Sequence, residues 1–471
     1  MMQQVRNPRT GETDYSFALP EAGETARICG SLRAGQSQWQ RMGVDKRIAV
    51  MQEWKQAVTR HREELIASLC TDTGRHWETL LEADLVAGSI DRWCGIAGEY
   101  LRPPQQKPSS IPFLSLQQEL VPYELVAVIS PWNFPLLLSL IDTIPALLAG
   151  CAVIVKPSEV TPRFVEVMQQ TISEVPILND VFRYLQGDGS TGAALVQQAD
   201  LVCFTGSTAT GRKVYAAAAE RMIPVFLEMG GKDPAIVTEG ADLEAAAAAV
   251  LWGSTANAGQ SCLSIERVYV QDSVFEAFVE KLARRSSAVK LAFPTMHDGL
   301  IGPVIFAQQA RIIDEHLTDA VEKGAVIVTG SARCEMLGGG WYCRPTVLTG
   351  VSHDMKIMTE ETFGPIMPVM PFYSKEEAIR LANGTMYGLS AAVFSADADE
   401  AMEIARELDA GAISINDAAL TAVMHEGEKN AFRLSGIGGT RMGPSALKRF
   451  MRQKVMILHS GTVESPWWYK T

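Results

Sequence analysis

The sequence predicts an α/β fold made of a doubly wound, Rossmann-like unit and a second α/β unit, with a small projecting arm. Three observations predict it. From Leu125 onward, apolar runs at 125–129, 151–155, 182–185, 201–204 and 223–227 alternate with helix-like segments at 135–149, 161–174, 189–198 and 208–221. After Pro234, strand-like runs at 265–270, 325–329, 366–371, 389–394 and 411–415 alternate with helical 242–256, 273–285, 307–322, 375–382 and 398–408. The chain has 471 residues, more than one compact core organises. Strands alternating with helices imply βαβ units and a parallel sheet covered on both faces. Right-handed crossovers make the first unit Rossmann-like, with its ligand crevice at the carboxyl ends of the strands.

Composition narrows the class. The chain is 47% hydrophobic and 20% charged, ordinary for a globular enzyme. Its net charge of -12 argues against a nucleic-acid or anionic-membrane partner. The most apolar region, Tyr123 to Val155, is broken by Pro131, Pro135 and Pro145 and contains Asn133 and Asp142. A spanning helix needs ~20 unbroken apolar residues, so buried strand, loop and helix is the expected reading. The start, Met1 to Arg6, lacks the apolar core of a signal peptide. Eight scattered cysteines include no Cys-x-x-Cys pair, and the seven histidines show no ligand spacing, so no metal is expected. Reduced thiols and a cytoplasmic location follow.

Taken in order, Asn7-Pro8-Arg9-Thr10-Gly11-Glu12 is a turn-rich opening. Helical patterns at 44–70 and 77–101 follow, the first with Ile48, Met51, Trp54 and Val58 near one face. A Pro/Ser-rich connector, 102–112, leads to Phe113–Gln118 and Glu119–Pro122, two short strands expected to form a projecting hairpin arm. The chain ends in apolar Val455–Leu458 and Trp467-Trp468-Tyr469, a tail of the kind that packs on another subunit.

The residues after the first set of strands are informative. Strand one runs into Ser130-Pro131-Trp132-Asn133-Phe134-Pro135, without a Gly-x-Gly-x-x-Gly fingerprint. Strand two ends in Lys156-Pro157-Ser158-Glu159, a cation and an acid suited to two ribose hydroxyls, or simply to each other. Strand four ends in Phe204-Thr205-Gly206-Ser207-Thr208, where a helix begins. Its free N–H groups form a phosphate site, and Ser207 is also an ordinary N-cap. Strand five ends in Glu228-Met229-Gly230-Gly231-Lys232, a carboxylate on the crevice side followed by glycines that allow close backbone approach. Asn257-Ala258-Gly259-Gln260-Ser261-Cys262 is a tight loop between an Ala-rich helix and a strand. A cysteine there is either a nucleophile on a rigid scaffold or a small apolar core residue.

Together these segments resemble the NAD(P)-dependent aldehyde dehydrogenase superfamily over nearly the whole length. The matches are Asn7–Glu12, Pro131–Pro135, Lys156–Glu159, Phe204–Ser207, Glu228–Lys232, Gly259–Cys262, Glu361-Thr362-Phe363-Gly364-Pro365 and Ser435-Gly436-Ile437-Gly438. Each is weak alone, and their shared order makes the set specific. The resemblance implies a Rossmann-like NAD-binding domain (1–103 and 123–233), an α/β catalytic domain (234–449) and oligomerisation segments (104–122 and 450–471). It implies a homodimer or homotetramer acting on a small aldehyde. Cys262 would be the nucleophile, Asn133 an oxyanion donor beside the Cys262 N–H, and Glu228 the general base. Trp132, Lys156, Glu159, Gly206, Ser207, Glu361 and Phe363 would hold NAD, with NADP as the alternative cofactor.

The implied chemistry suits these residue types. Thiolate addition converts the aldehyde into a tetrahedral thiohemiacetal able to release hydride, and water activated by Glu228 hydrolyses the resulting thioester. Glu228 argues against a coenzyme A-acylating relative, and Cys262, Glu228 and Asn133 together argue against a non-catalytic structural protein on the same fold. Phe134, Leu137, Leu138, Ile141, Ser261, Leu263 and Phe432 would line the substrate tunnel, and the first four favour an apolar or aromatic aldehyde over a dicarboxylic semialdehyde. One departure stands out. The loop that often reads Pro-Phe-Gly-Gly-x-Lys is here Glu428-Lys429-Asn430-Ala431-Phe432-Arg433.

Overall fold

The computed structural model describes residues 1–111 and 113–459. The tail containing Trp467, Trp468 and Tyr469, on which part of the assembly expectation rests, lies outside the described residues. Two large sheets organise the chain. The six-stranded sheet has the order Gly436–Ile437, Val225–Glu228, Leu201–Thr205, Leu125–Ile129, Ala152–Lys156, Phe182–Tyr184. Its strands are parallel except for Gly436–Ile437, which pairs antiparallel with Leu227 and Glu228. Chain order reverses between Leu125–Ile129 and Leu201–Thr205, the switch point at which such sheets open a ligand crevice.

The seven-stranded sheet has the order Val326–Thr329, Thr346–Thr349, Ile366–Phe372, Ile265–Gln271, Asp233–Val237, Ser390–Phe394, Ala412–Ile415. Only Val326–Thr329 runs antiparallel to its neighbour. The strand Asp233–Val237, beside central Ile265–Gln271, and the strand Thr346–Thr349 are absent from the sequence reading. Asp233-Pro234 disguises the first, because a buried carboxylate and a proline head a strand that is otherwise apolar. Glu228 ends a strand of the first sheet and Asp233 begins one of the second. The carboxyl ends of one sheet therefore meet the amino ends of the other across a short connection.

Helices cover the sheets much as expected, with informative differences. The pattern at 44–70 is two helices, Val44–Arg60 and Arg62–Thr73, broken at His61, and Glu24–Arg41 is an additional helix. Met51, Trp54 and Val58 are buried as their spacing predicts. The Trp54 Nε1–H donates to Thr171 Oγ1 at 3.0 Å, so its burial leaves no polar group unsatisfied. The segment 135–149 is divided into Pro135–Leu140 and Thr143–Ala149. Pro145 supplies the reason: it lacks the N–H that would bond residue 141 and its ring crowds that carbonyl.

Two expectations about organisation are corrected. Residues 114–122 are not a hairpin of two short strands but one strand, Leu114–Pro122, paired along its length with Met451–His459. Sequence-distant pairing gave no local turn signal to read. Nor does the stretch up to 449 stay with the second sheet. Gly436–Ile437 joins the first sheet, and Ala446, Leu447 and Phe450 pack in the core beneath it. Arg441 and Arg449 reinforce that return by pairing with buried Asp142. Among the described residues no helix is long and apolar enough to cross a membrane.

Candidate active site

The loop before Cys262 is shaped by three consecutive left-handed residues, Asn257 (φ 54°), Ala258 (φ 55°) and Gly259 (φ 72°). The helix before it, Leu243–Thr255, is capped as expected by Asp242, which accepts from the N–H groups of Glu244 and Ala245. Left-handed geometry costs about 1–2 kcal/mol at each non-glycine position. Hydrogen bonds offset that cost. The Asn257 N–H donates to Glu78 Oε1 at 2.9 Å, and its Nδ2 donates to the carbonyls of Asn133 and Gln260, each at 3.0 Å. The Gln260 side chain donates to the Asn257 carbonyl (2.9 Å) and accepts from the Ile305 N–H (2.8 Å). Gly259 has no room for a side chain: a Cβ there would lie 2.6 Å from Pro365 N. The loop is thus a rigid mount.

Of the eight cysteines, all unpaired, seven are buried and Cys262 alone keeps partial exposure. Desolvation pushes its thiol up to about 12, with Glu228, Asp233 and Glu361 adding repulsion and the Lys429 charge opposing them. The resting group is therefore a neutral thiol at neutral pH, and any nucleophilic role requires a nearby base. Glu228 is half-buried at the end of its strand, near enough for its charge to act on Cys262. Among the described residues its carboxylate makes no hydrogen bond, which leaves it available to water or thiol. Gly231 makes the close approach possible, since a Cβ there would lie 2.5 Å from the Cys262 carbonyl oxygen.

Asn133 is buried on the loop after the first strand. One proton of its amide is used, because Nδ2 donates to the Gln260 carbonyl at 3.0 Å. The second remains free, as does the Cys262 N–H, which makes no hydrogen bond among the described residues. Two unspent donors beside a thiol form a candidate oxyanion site. A buried ion pair holds the Asn133 backbone. Arg75 Nη1 donates to the Asn133 carbonyl at 2.8 Å, and Arg75 Nη2 pairs with Glu82 at 2.9 Å. The other Glu82 oxygen accepts the N–H groups of Leu136 (2.8 Å) and Leu137 (3.0 Å), the free donors at the start of Pro135–Leu140.

The remaining site candidates sort as follows. Lys156 Nζ meets Glu159 Oε2 at 2.7 Å, with Lys156 nearly buried and Glu159 partly exposed at the strand end. Ser207 is the N-cap of Thr208–Glu220, its Oγ accepting from the Thr210 N–H at 3.3 Å, and the Gly206 N–H donates to the Glu228 carbonyl at 3.1 Å. Trp132 and Phe363, from opposite sheets, meet edge to face with ring centroids 5.4 Å apart. The Glu361 carboxylate accepts from the Gly231 N–H at 3.0 Å, and burial raises its pKa. Phe134, Leu137, Leu138 and Ile141 are partly exposed on one side of their segment, while Leu136 and Leu140 point into the core. Ser261 and Leu263 flank Cys262 and are partly exposed too. Phe432 departs from expectation. It sits on an outer two-residue strand against Gly388, where the pairing of Phe432–Arg433 with Tyr387–Gly388 fixes it, and is 43% exposed.

The model of the aldehyde dehydrogenase family matches residues 1–456. The chain belongs to that family. It is 34% identical over 471 residues to a betaine aldehyde dehydrogenase of Cereibacter sphaeroides, covering 98% of this chain and 94% of the relative. A solved structure assigned as aldehyde dehydrogenase PutA from Anabaena variabilis is 58% identical and superposes with a TM-score of 0.98 over 100% of both chains. Betaine aldehyde dehydrogenase from Staphylococcus aureus, solved with NAD+, is 29% identical with a TM-score of 0.93, covering 100% of this chain and 94% of that one.

In this member of the family several site residues escaped the sequence reading. Arg75 and Glu82 lie on or beside a helix read as scaffold, and their charges gave no hint of burial. Glu266, within a strand, holds the loop that carries Glu361 and Phe363. Its two oxygens accept the N–H groups of Thr362 (2.8 Å) and Phe363 (2.7 Å), and Lys232 Nζ binds it at 2.7 Å. A charged residue at an inward position of an apolar strand is the signal that could have found it. Phe306, stacked near Trp132 at 6.0 Å, had none.

Proposed function

We propose that this chain oxidises an aldehyde to the carboxylic acid with NAD+, by covalent catalysis at Cys262 and hydrolysis of the acyl thioester by water that Glu228 activates. One observation carries the reading: the single partly exposed cysteine lies within range of the charge of an unbonded carboxylate, its own N–H is an unspent donor, and its loop is bonded to Asn133, which holds a second. Glu228 removes the proton that burial otherwise holds on the thiol. Cys262 then adds to the carbonyl carbon, and the Asn133 amide and Cys262 N–H receive the developing alkoxide. One such donor is typically worth about 3 kcal/mol in the transition state. Glu228 passes the thiol proton to solvent; after hydride leaves, it accepts a proton from water attacking the thioester, and its return to the departing thiolate frees the acid and the thiol. The unbonded Glu228 supports hydrolysis over acyl transfer to coenzyme A. The test is formation of NADH and acid from an aldehyde by purified protein without coenzyme A; an absolute need for coenzyme A would refute it.

The crevice residues fit a dinucleotide. Ser130 Oγ is buried without a partner among the described residues, at the end of the first strand beside the switch point. Gly206 and Ser207 open a 13-residue helix whose N-terminal donors suit a pyrophosphate. Lys156 and Glu159 suit the adenosine ribose, and Glu361, Trp132 and Phe363 the nicotinamide end. When bound, NAD supplies the hydride acceptor. A carboxylate at Glu159 accepts from a 2′-hydroxyl and repels a 2′-phosphate. NAD is therefore preferred over NADP, and Glu159→Ser should shift the ratio of kcat/KM values toward NADP by about tenfold or more. Equal efficiency of the wild type with both cofactors would contradict this assignment.

The first sheet, with residues 1–103, 123–233 and the returning segment 436–450, is read as the cofactor-binding unit, and the second sheet as the catalytic unit. Eight unpaired thiols support a reducing, cytoplasmic setting. The partly exposed Phe134, Leu137, Leu138 and Ile141 support an apolar wall along the substrate. Strand Met451–His459 supports assembly into a dimer or tetramer, since Val455, Ile457 and Leu458 are 52%, 64% and 41% exposed on it. Light scattering at micromolar concentration should give a multiple of the chain mass, and Ile457→Asp should lower it. A monomeric wild type would refute assembly.

A further inference from the structure

Two free thiols outside the candidate active site face each other. The hairpin strands Glu335–Leu337 and Gly340–Tyr342 pair antiparallel, with Glu335 opposite Tyr342. Cys334 and Cys343 occupy the next rung, one residue beyond each strand. Directly opposed residues of such a ladder lie about 4.5–5.5 Å apart at Cα, inside the span of about 4.4–6.8 Å that a disulfide bridges. Alternation along the strands puts both sulfurs on one face. Cys334, Trp341 and Cys343 pack in the cluster of Ile313 and Leu317, whereas Leu337 and Tyr342 point the other way, into a cluster with Ala258. The two side chains touch, because the Cys334 thiol hydrogen-bonds with Cys343, a contact that together with burial holds its proton in place. Cys343 is fully buried, while Cys334 is 4% exposed and follows exposed Ala332 and Arg333 at the edge of the hairpin.

We propose that Cys334 and Cys343 are a modification site, a dithiol that hydrogen peroxide converts reversibly into a disulfide within the hairpin. Cys334 Sγ attacks one peroxide oxygen and the O–O bond breaks. The departing hydroxide takes the thiol proton and leaves as water, and Cys334 becomes a sulfenic acid. Cys343 Sγ then attacks that sulfur and the S–O bond breaks, releasing a second water with the second thiol proton. The pair of sulfurs gives up two electrons and two protons, and peroxide becomes two waters. A cysteine oxidised alone stops at the sulfenic acid or continues to irreversible acids, whereas a thiol in contact with it diverts the reaction to a disulfide. Peroxide suits the site because a small oxidant reaches a nearly closed sulfur that a bulky disulfide cannot. The backbone needs little movement. The Cys334 N–H is fixed by Asp314 Oδ1 at 2.6 Å, so Cys334 Sγ has only to turn from the Ala310 carbonyl, 3.8 Å away, toward Cys343.

The test treats the folded, fully reduced chain with hydrogen peroxide, quenches in acid, and alkylates the remaining thiols with N-ethylmaleimide in denaturant. Peptides are then mapped by mass spectrometry with and without prior reduction. Trypsin should release both cysteines in one peptide, since it cuts after Arg333 and cleaves poorly between Arg344 and Pro345. In the oxidised wild type that peptide should carry no alkylation and be lighter by two hydrogens than the dithiol form. Reduction should restore two alkylation sites. In Cys343→Ser, Cys334 should be recovered as a thiol or as a sulfenic acid trapped by dimedone, with no bond to any other cysteine. Should that variant fail to fold, the wild-type peptide decides alone. A wild type in which Cys334 and Cys343 both still take the alkylating agent after Cys262 has been oxidised overturns the site. So does recovery of either one joined to a different cysteine, since the hairpin register would then not direct the bond.

Discussion

Replacing Cys262 with alanine removes aldehyde oxidation by ~10⁴-fold or more, while the protein still folds and binds NAD. An sp2 aldehyde carbon cannot release hydride directly, and an alanine side chain offers no nucleophile to form the tetrahedral adduct. The fold survives because Cys262 is only partly buried and its loop is held by Asn257, Gly259 and Gln260, not by the thiol. Nucleotide binding by fluorescence and turnover with a panel of aldehydes read the two halves separately. Near-normal turnover in the alanine variant would sink the assignment. The same residue sets a pH dependence. With the thiol pushed up to about 12, its thiolate fraction rises about tenfold per pH unit below that value. Alkylation of the cofactor-free enzyme by iodoacetamide, read at Cys262 by mass spectrometry, should accelerate from pH 7 toward pH 10. A flat profile would mean that the thiol is already ionised at neutral pH.

Glu228→Gln separates the two half-reactions. A neutral amide cannot deprotonate water, so thioester hydrolysis slows by about 10²–10⁴-fold, the usual worth of general-base help. The variant should release a burst of NADH approaching one equivalent per active site, followed by a slow steady rate. Acyl-Cys262 should be trapped by mass spectrometry, and coenzyme A should not restore fast turnover. The size of the burst matters because Glu228 is also the group positioned to take the thiol proton. An absent burst with no acyl adduct assigns Glu228 to the first step. A full burst assigns it to the second, with Cys262 losing its proton by another route.

The α/β architecture and the loop that carries Cys262 were legible in the sequence. Alternating apolar runs and helical periods reported local burial. The segments 130–135, 156–159, 204–207, 228–232 and 257–262 each fall where a strand meets a turn, so backbone geometry alone placed them at the crevice. Asp242, Ser207 and Gly259 were readable for the same reason, because caps and left-handed turns depend on neighbouring residues. Only the tertiary structure decided the rest. Arg75 and Glu82 become a buried pair under Asn133, Glu266 grips the loop of Glu361 and Phe363, and Leu114–Pro122 finds its partner more than 300 residues away. The first two depend on charged side chains, and such a side chain looks the same in a sequence whether it is solvated or buried; the third depends on backbone pairing with a distant segment. The Lys429 loop shows the limit best. Its departure from the family pattern was visible, but the consequence depended on which residues surround the ammonium. It took the folded chain to set Lys429 on the wall of an open cavity with its charge acting on Cys262.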